Sequence, residues 1–197
     1  MTRKRAGTPG RPGGYTLVEI AVTLAMAGIV ASLAVPSLGA LARNERRTAA
    51  VNELLVTLQA ARSEAIKRGG RPIVICGLAP PAQACTGHDW SAGWALGTWN
   101  DADGDATVDP AEFRPLRHFT PPTGGGLTVM AGNFTASPPI GPAGTILVKA
   151  FGRRTSNGTI TICDDRGPGA ARAVIVSSLA RARASSTRAN GKPLTCP

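Results

Sequence analysis

Aromatic side chains make up only 4% of this 197-residue sequence, and histidine occurs twice, at His88 and His118. So few rings and imidazoles leave little from which to assemble a catalytic centre. The sequence has no nucleophile elbow and no Gly-rich loop opening a helix, so it reads as a binding or structural module rather than an enzyme. No small-molecule substrate and no resident cofactor are expected. The four cysteines, Cys76, Cys85, Cys163 and Cys196, show neither a CxxC spacing nor a neighbouring histidine, which disfavours metal-thiolate and redox chemistry. Glycine (24) and proline (16) are plentiful, and that composition favours turns and short strands over a large helical core.

One long apolar run is present. Residues 15–35 read YTLVEIAVTLAMAGIVASLAV, with Glu19 the only charge, and as a helix this stretch can cross about 30 Å of hydrocarbon. The basic segment 1–14, with Arg3, Lys4, Arg5 and Arg11, precedes it directly. Positive charge before an apolar span keeps the N-terminus in the cytoplasm and sends the rest of the chain across the membrane. Outside the cytoplasm an even cysteine count implies two disulfides, by proximity Cys76–Cys85 and Cys163–Cys196, with the other connectivities open.

After Pro36, which is expected to interrupt the helix at the membrane edge, an amphipathic helix is predicted to continue to Gly69-Gly70. Its stripe is Val51, Leu54, Leu55, Leu58, Ala61 and Ala65, while Arg43, Glu45, Arg46 and Arg47 are expected to form a solvated collar. Seven β-rich runs follow: RPIVICG, AGWALGTW, EFRPLRHF, GLTVMAG, GTILVKA, GTITICD and ARAVIVSS. With no long helical pattern between them they predict antiparallel sheet. The fold class is therefore α+β, a long N-terminal helix packed on an antiparallel β-sheet head. The segments are a leader (1–14), a transmembrane helix (15–35), an amphipathic helix (36–69) and a β-rich head (70–197).

Two charged segments are candidates for function. The acidic loop places oxygen ligands at Asp101, Asp103, Asp105, Asp109 and Glu112, with a carbonyl at Thr107, in the order of an EF-hand-like calcium loop. Ala106 stands where such a loop has its turning glycine, and an acidic, solvated hairpin loop fits the same residues. The second segment is the C-terminal quarter. Residues 15–150 hold ten bases and ten acids, whereas residues 151–197 hold eight bases against Asp164 and Asp165. Arg172, Arg181, Arg183, Arg188 and Lys192 suit a polyanion, and in a strand Arg181 and Arg183 would share a face and reach successive phosphates. With no aromatic residue between 152 and 197, contact with double-stranded DNA would be electrostatic and strongly salt-dependent.

Gly13-Gly14-Tyr15-Thr16-Leu17-Val18-Glu19 resembles the cleavage signal of type IV prepilins. That resemblance implies cutting between Gly14 and Tyr15 by a prepilin peptidase, methylation of Tyr15, and retention of the span in the bacterial inner membrane. It also implies that Glu19 pairs with the freed amine of a neighbouring pilin or pseudopilin subunit during filament assembly. Ser63-Glu64-Ala65-Ile66-Lys67-Arg68-Gly69, Val74-Ile75-Cys76 and Trp90-Ser91-Ala92-Gly93-Trp94 resemble the GspH/FimT family of minor pilins and pseudopilins. So do the acidic loop at 100–112, Thr159-Ile160-Thr161-Ile162-Cys163-Asp164 and Arg172-Ala173-Val174-Ile175-Val176-Ser177. In FimT-like members a GRxR motif near the C-terminus binds exogenous DNA during natural transformation. Here the segment is Ala180-Arg181-Ala182-Arg183, with both arginines present and alanine in the glycine position. GspH-like members are instead structural subunits of a type II secretion pseudopilus, and the resemblance covers both kinds.

Overall fold

A computed structural model of the chain describes residues 14–78, 85–105, 108, 111–132, 134, 144–149 and 156–197. It divides into two compact units, which meet in sequence between Leu41 and Ala42. The first unit is the front of helix α1 (Leu17–Lys67), which begins where the Thr16 hydroxyl accepts the Glu19 N–H at 3.2 Å. That is the N-cap geometry expected of a Thr-x-x-Glu start. Leu17, Val18, Leu24, Met26, Ile29, Val30 and Leu33 are all exposed, as a surface destined for lipid must be. The helix runs on through Pro36, against the expected interruption. A proline removes one N–H from the ladder, a cost of about 3 kcal/mol that a helix of many turns can absorb.

Among the described residues the second unit holds the rest of α1 and nine strands. They are β1 (Ile73–Leu78), β2 (Cys85–Thr86), β3 (Trp94–Trp99), β4 (Phe113–Phe119), β5 (Thr128–Ala131), β6 (Ile146–Val148), β7 (Gly158–Cys163), β8 (Arg172–Val176) and β9 (Ala182–Ser185). The helix stops where Gly70 donates to the Ala65 carbonyl at 2.9 Å, with Gly69 and Gly70 at φ 68° and 87°, a left-handed exit that suits glycine. One antiparallel sheet runs β2-β1-β3-β4 with β6 also on β1, and the other runs β5-β7-β8-β9. Segment 88–90 joins them along β5, through Trp90 N–H to the Val129 carbonyl and Ala131 N–H to the His88 carbonyl, both at 2.8 Å. All seven expected strands form; β2 and β9 are additional.

The α1 stripe holds both sheets. Val51, Leu54, Leu58, Ala61 and Ala65 are buried in one core with Ile73, Ile75, Trp94 and Leu96 of the first sheet and Val129, Ile160, Ile162, Val174 and Val176 of the second. Leu55 packs at its margin. Within this core the Trp94 indole N–H donates to the Thr57 hydroxyl at 3.0 Å, and that hydroxyl donates to the Glu53 carbonyl at 2.8 Å. Two smaller clusters cover the outer faces. One groups Val74, Cys76, Ala95, Val108, Phe113 and Leu147, and the other groups Cys163, Ala171, Ala173 and Leu194. The disulfides are Cys76–Cys85 and Cys163–Cys196, and the second fastens the C-terminal tail to the end of β7.

The expected collar is solvated only in part: Glu45 is exposed and Arg43 and Arg46 are half-buried, but Arg47 is not in solvent. The Arg47 side chain is 9% exposed and Arg43 pairs with Asp165 at 3.6 Å. The loop after β7 folds back onto this turn of α1 and brings carboxylates that the local charge pattern could not reveal.

Replacing Thr57 with Val keeps the volume and strands the Trp94 N–H without its acceptor. Urea denaturation of residues 42–197 is expected to show a loss of about 1–3 kcal/mol with an unchanged m-value. An unaltered midpoint would show that the bond contributes nothing.

Candidate functional site

The hairpin β8–β9 carries the paired arginines. The register sets Val176 against Ala182, Ile175 against Arg183 and Val174 against Ala184. Val174, Val176 and Ala182 face the main core, so by the two-residue alternation of a strand Arg183 and the preceding Arg181 lie on the opposite face. Both are exposed. Among the described residues β9 pairs only with β8, and it is an open edge of the second sheet.

The turn that aims these arginines contains the one non-glycine residue with positive φ among those described, Ala180 at 56°. Ala180 therefore holds a left-handed conformation that glycine adopts more easily, at a steric cost of about 1–2 kcal/mol. Tertiary context supports that strain: Ala180 is buried in the main core and its N–H donates to the Ser177 carbonyl at 2.9 Å. Ser177 N–H donates to the Arg181 carbonyl at 2.9 Å, and its hydroxyl accepts the Arg181 N–H at 3.2 Å.

The five expected cations do not form a single cluster. Arg172 begins β8 at the end of the hairpin away from the turn. Arg188 and Lys192 stand on a turn of the tail closed by Arg188 N–H to the Lys192 carbonyl at 2.9 Å, and Arg188 Nη2 also donates to the Thr195 hydroxyl. That tail lines an open groove of about 610 Å³ together with Met130, Thr159 and Thr161, and contributes Arg188 and Asn190 to it. Sequence reasoning did not bring His88 to this place. Segment 88–90 delivers it, and its Nδ1 lies 2.7 Å from the Ala131 carbonyl at the groove. No local signal near residue 88 marks that pairing, which depends on β5.

Behind the hairpin lies a buried ionic cluster that the sequence did not disclose. Asp164, with 2% of its side chain exposed, accepts from Arg166 Nε at 3.0 Å and from the Arg166 backbone N–H at 3.1 Å, and it faces Arg47 at 3.8 Å. Arg47 donates to the Ala170 carbonyl and to the Asn44 side-chain oxygen, and Arg166 shares that oxygen at 2.9 Å. The Arg166 bonds hold the Asp164 carboxyl below the usual carboxylate range despite the opposing effect of burial. Burial, then repulsion from Arg172 and Arg166, lowers the Arg47 guanidinium, while the Asp164 bonds raise Arg166. This cluster ties α1 to the segment just after Cys163 and consumes acids that would otherwise offset the C-terminal cations.

In the acidic loop the Asp101, Asp103 and Asp105 carboxylates lie within 4.8 Å of one another, a crowding that a divalent cation would relieve. Glu112 ties the loop to the end of β3: its oxygens accept from Trp99 Nε1 at 3.1 Å and from the Ala102 N–H at 2.6 Å. Thr107 and Asp109 lie outside the described residues, as does Gly13.

Asp164→Asn leaves Arg47 buried beside a neutral group, and a loss of about 3 kcal/mol is expected at neutral pH. Because the folded carboxyl is depressed, its contribution is full above the unfolded value of about 3.9 and fades as pH falls through the lower folded value. Acid titration of stability should therefore bring wild type and variant together at low pH. A gap that persists there would contradict the assignment.

Three comparisons bear on the chain as a whole. The family profile described as Type II transport protein GspH matches residues 50–180 and stops short of Arg181. The type IV minor pilin FimU of Pseudomonas aeruginosa superposes with a TM-score of 0.53 at 24% identity, over 79% of this chain and 97% of that one. A second crystal form of FimU gives 0.49 at 23% identity, over 76% and 99%. No curated protein matches the sequence. The likeness to FimU is one of fold; the profile covers two thirds of the sequence, and the chain belongs to the GspH family.

Proposed function

We propose that this chain is a FimT-like minor pilin that joins a type IV pilus and binds double-stranded DNA along β9 for natural transformation. The carrying observation is the pair Arg181 and Arg183, both exposed, the first just before and the second within the open edge strand β9, and both following a turn whose Ala180 is left-handed. The surroundings favour a polyanion. After Asp165 the sequence has no acid, and among the described residues no carboxylate lies within ion-pair distance of Arg181, Arg183, Arg188 or Lys192. Two guanidiniums on one strand face suit neighbouring phosphates, and phosphate contact alone gives binding without sequence preference.

On this reading the prepilin peptidase cuts between Gly14 and Tyr15 and Tyr15 is N-methylated. The apolar span stays in the inner membrane, with the leader cytoplasmic and the head periplasmic. The Glu19 carboxylate stands one turn from the new amine, where the helix start already favours an anion, and is placed to pair with the amine of an adjacent subunit. A second reading, a structural pseudopilin of a type II secretion system, is favoured by the family's description and by a match that ends before the arginines.

Duplex binding by residues 42–197 separates the two. The proposal expects binding at low salt, weakened in Arg181→Ala/Arg183→Ala, with the slope of log K against log salt reduced by about 1.8. Absence of binding at low salt, or indifference to the double substitution, would select the structural pseudopilin.

A further inference from the structure

The tip of the β8–β9 hairpin leaves one large apolar side chain in water. Leu179 is 50% exposed, while Ala180 beside it is 7% exposed and packs in the main core. The turn is fastened on both sides by the Ser177 backbone and hydroxyl bonds to Ala180 and Arg181, so Leu179 is held outward by a rigid frame. Its neighbours Ser177, Ser178 and Ala180 are all small, which makes the tip slim. Arg181 and Arg183 follow directly on one arm, about 7 Å apart along the strand.

We propose that this tip enters the minor groove of duplex DNA, with Leu179 seated against sugars and base edges and the two arginines on phosphates of one wall. The inference rests on the DNA-binding reading and adds to it the groove and the residue that recognises it. The minor groove, about 6 Å wide and 7.5 Å deep, admits a single slim turn of chain but not a helix. Apolar side chains placed there pack on the floor and loosen base steps, and the negative potential of a narrow groove draws arginine towards it. A leucine fixed at the apex of a basic hairpin joins both elements in one rigid unit. Arginines alone would give phosphate binding indifferent to the groove; Leu179 makes the contact groove-selective.

The test uses the full chain in uncharged detergent micelles and the fluorescence anisotropy of a short labelled duplex. Leu179→Ala is expected to weaken binding about tenfold while leaving the salt slope unchanged, since an apolar contact releases no counterion. Leu179→Met should retain most of the affinity, and netropsin, which fills the minor groove, should displace the protein. Because Leu179 lies half in solvent, its truncation leaves the fold intact, and an unchanged thermal melt verifies that. Unaltered affinity in Leu179→Ala, or indifference to netropsin, overturns the minor-groove inference while binding that still depends on Arg181 and Arg183 preserves the DNA reading. Wild type that does not bind at low salt overturns both.

Discussion

One face of one helix determines the head. Val51, Leu54, Leu58, Ala61 and Ala65 form a continuous apolar stripe, and residues from both sheets close on it to make a single core. The helix is therefore the shared wall against which both sheets pack. At about 25 cal/mol per Å² of apolar surface, such burial is the leading favourable contribution to the fold. The bond from Trp94 to Thr57 adds direction to a force that has none, because it sets the height of β3 on the helix by one named donor and acceptor.

From that wall outward, polar interactions settle what the core leaves free. The second sheet would be a bare layer beyond β7 without the tail, and the tail has little apolar surface of its own beyond Leu194. Cys163–Cys196 supplies the attachment covalently, and Asp164, the next residue, ties the same end of β7 to α1 through Arg47 and Arg166. Both anchors hold one short stretch of chain. A buried ion pair is weak as a source of stability because desolvation offsets attraction, but it is demanding about partners. Here it selects which turn of α1 the loop after β7 meets, so its role is register more than strength.

Much of this was legible in the sequence, and the gaps have physical causes. Runs rich in Val, Ile and Thr announced seven strands because their side chains pack on a pleated, half-buried surface. β9 was silent: Ala-Arg-Ala-Ser lacks such residues, and it is a strand because it pairs with β8 across a tight turn. The stripe on α1 obeyed helical spacing, yet Arg47 on the same helix was assigned to solvent because its partner at Ala170 lies 123 residues away. Local periodicity reports which face is apolar; it cannot report which distant group will satisfy a charge. Proximity favoured the two disulfides that form without excluding the other connectivities, whereas His88 reached the C-terminal groove through a backbone pairing that composition does not encode.

The position of Ala180 shows how structure and function can share a few residues without conflict. A left-handed alanine is a local cost, and a turn free to relax would shed it by changing the angle between β8 and β9. Burial of its methyl group in the main core resists that change, since moving Ala180 would open space in that core. The core thus fixes the turn, and the turn fixes where Arg181 and Arg183 stand. The aim of the basic edge is therefore inherited from the same packing that seats the sheet on α1. Side chains on the outer face can then be exchanged with little effect on the fold, so the scaffold fixes where that edge stands without fixing the chemistry the edge presents.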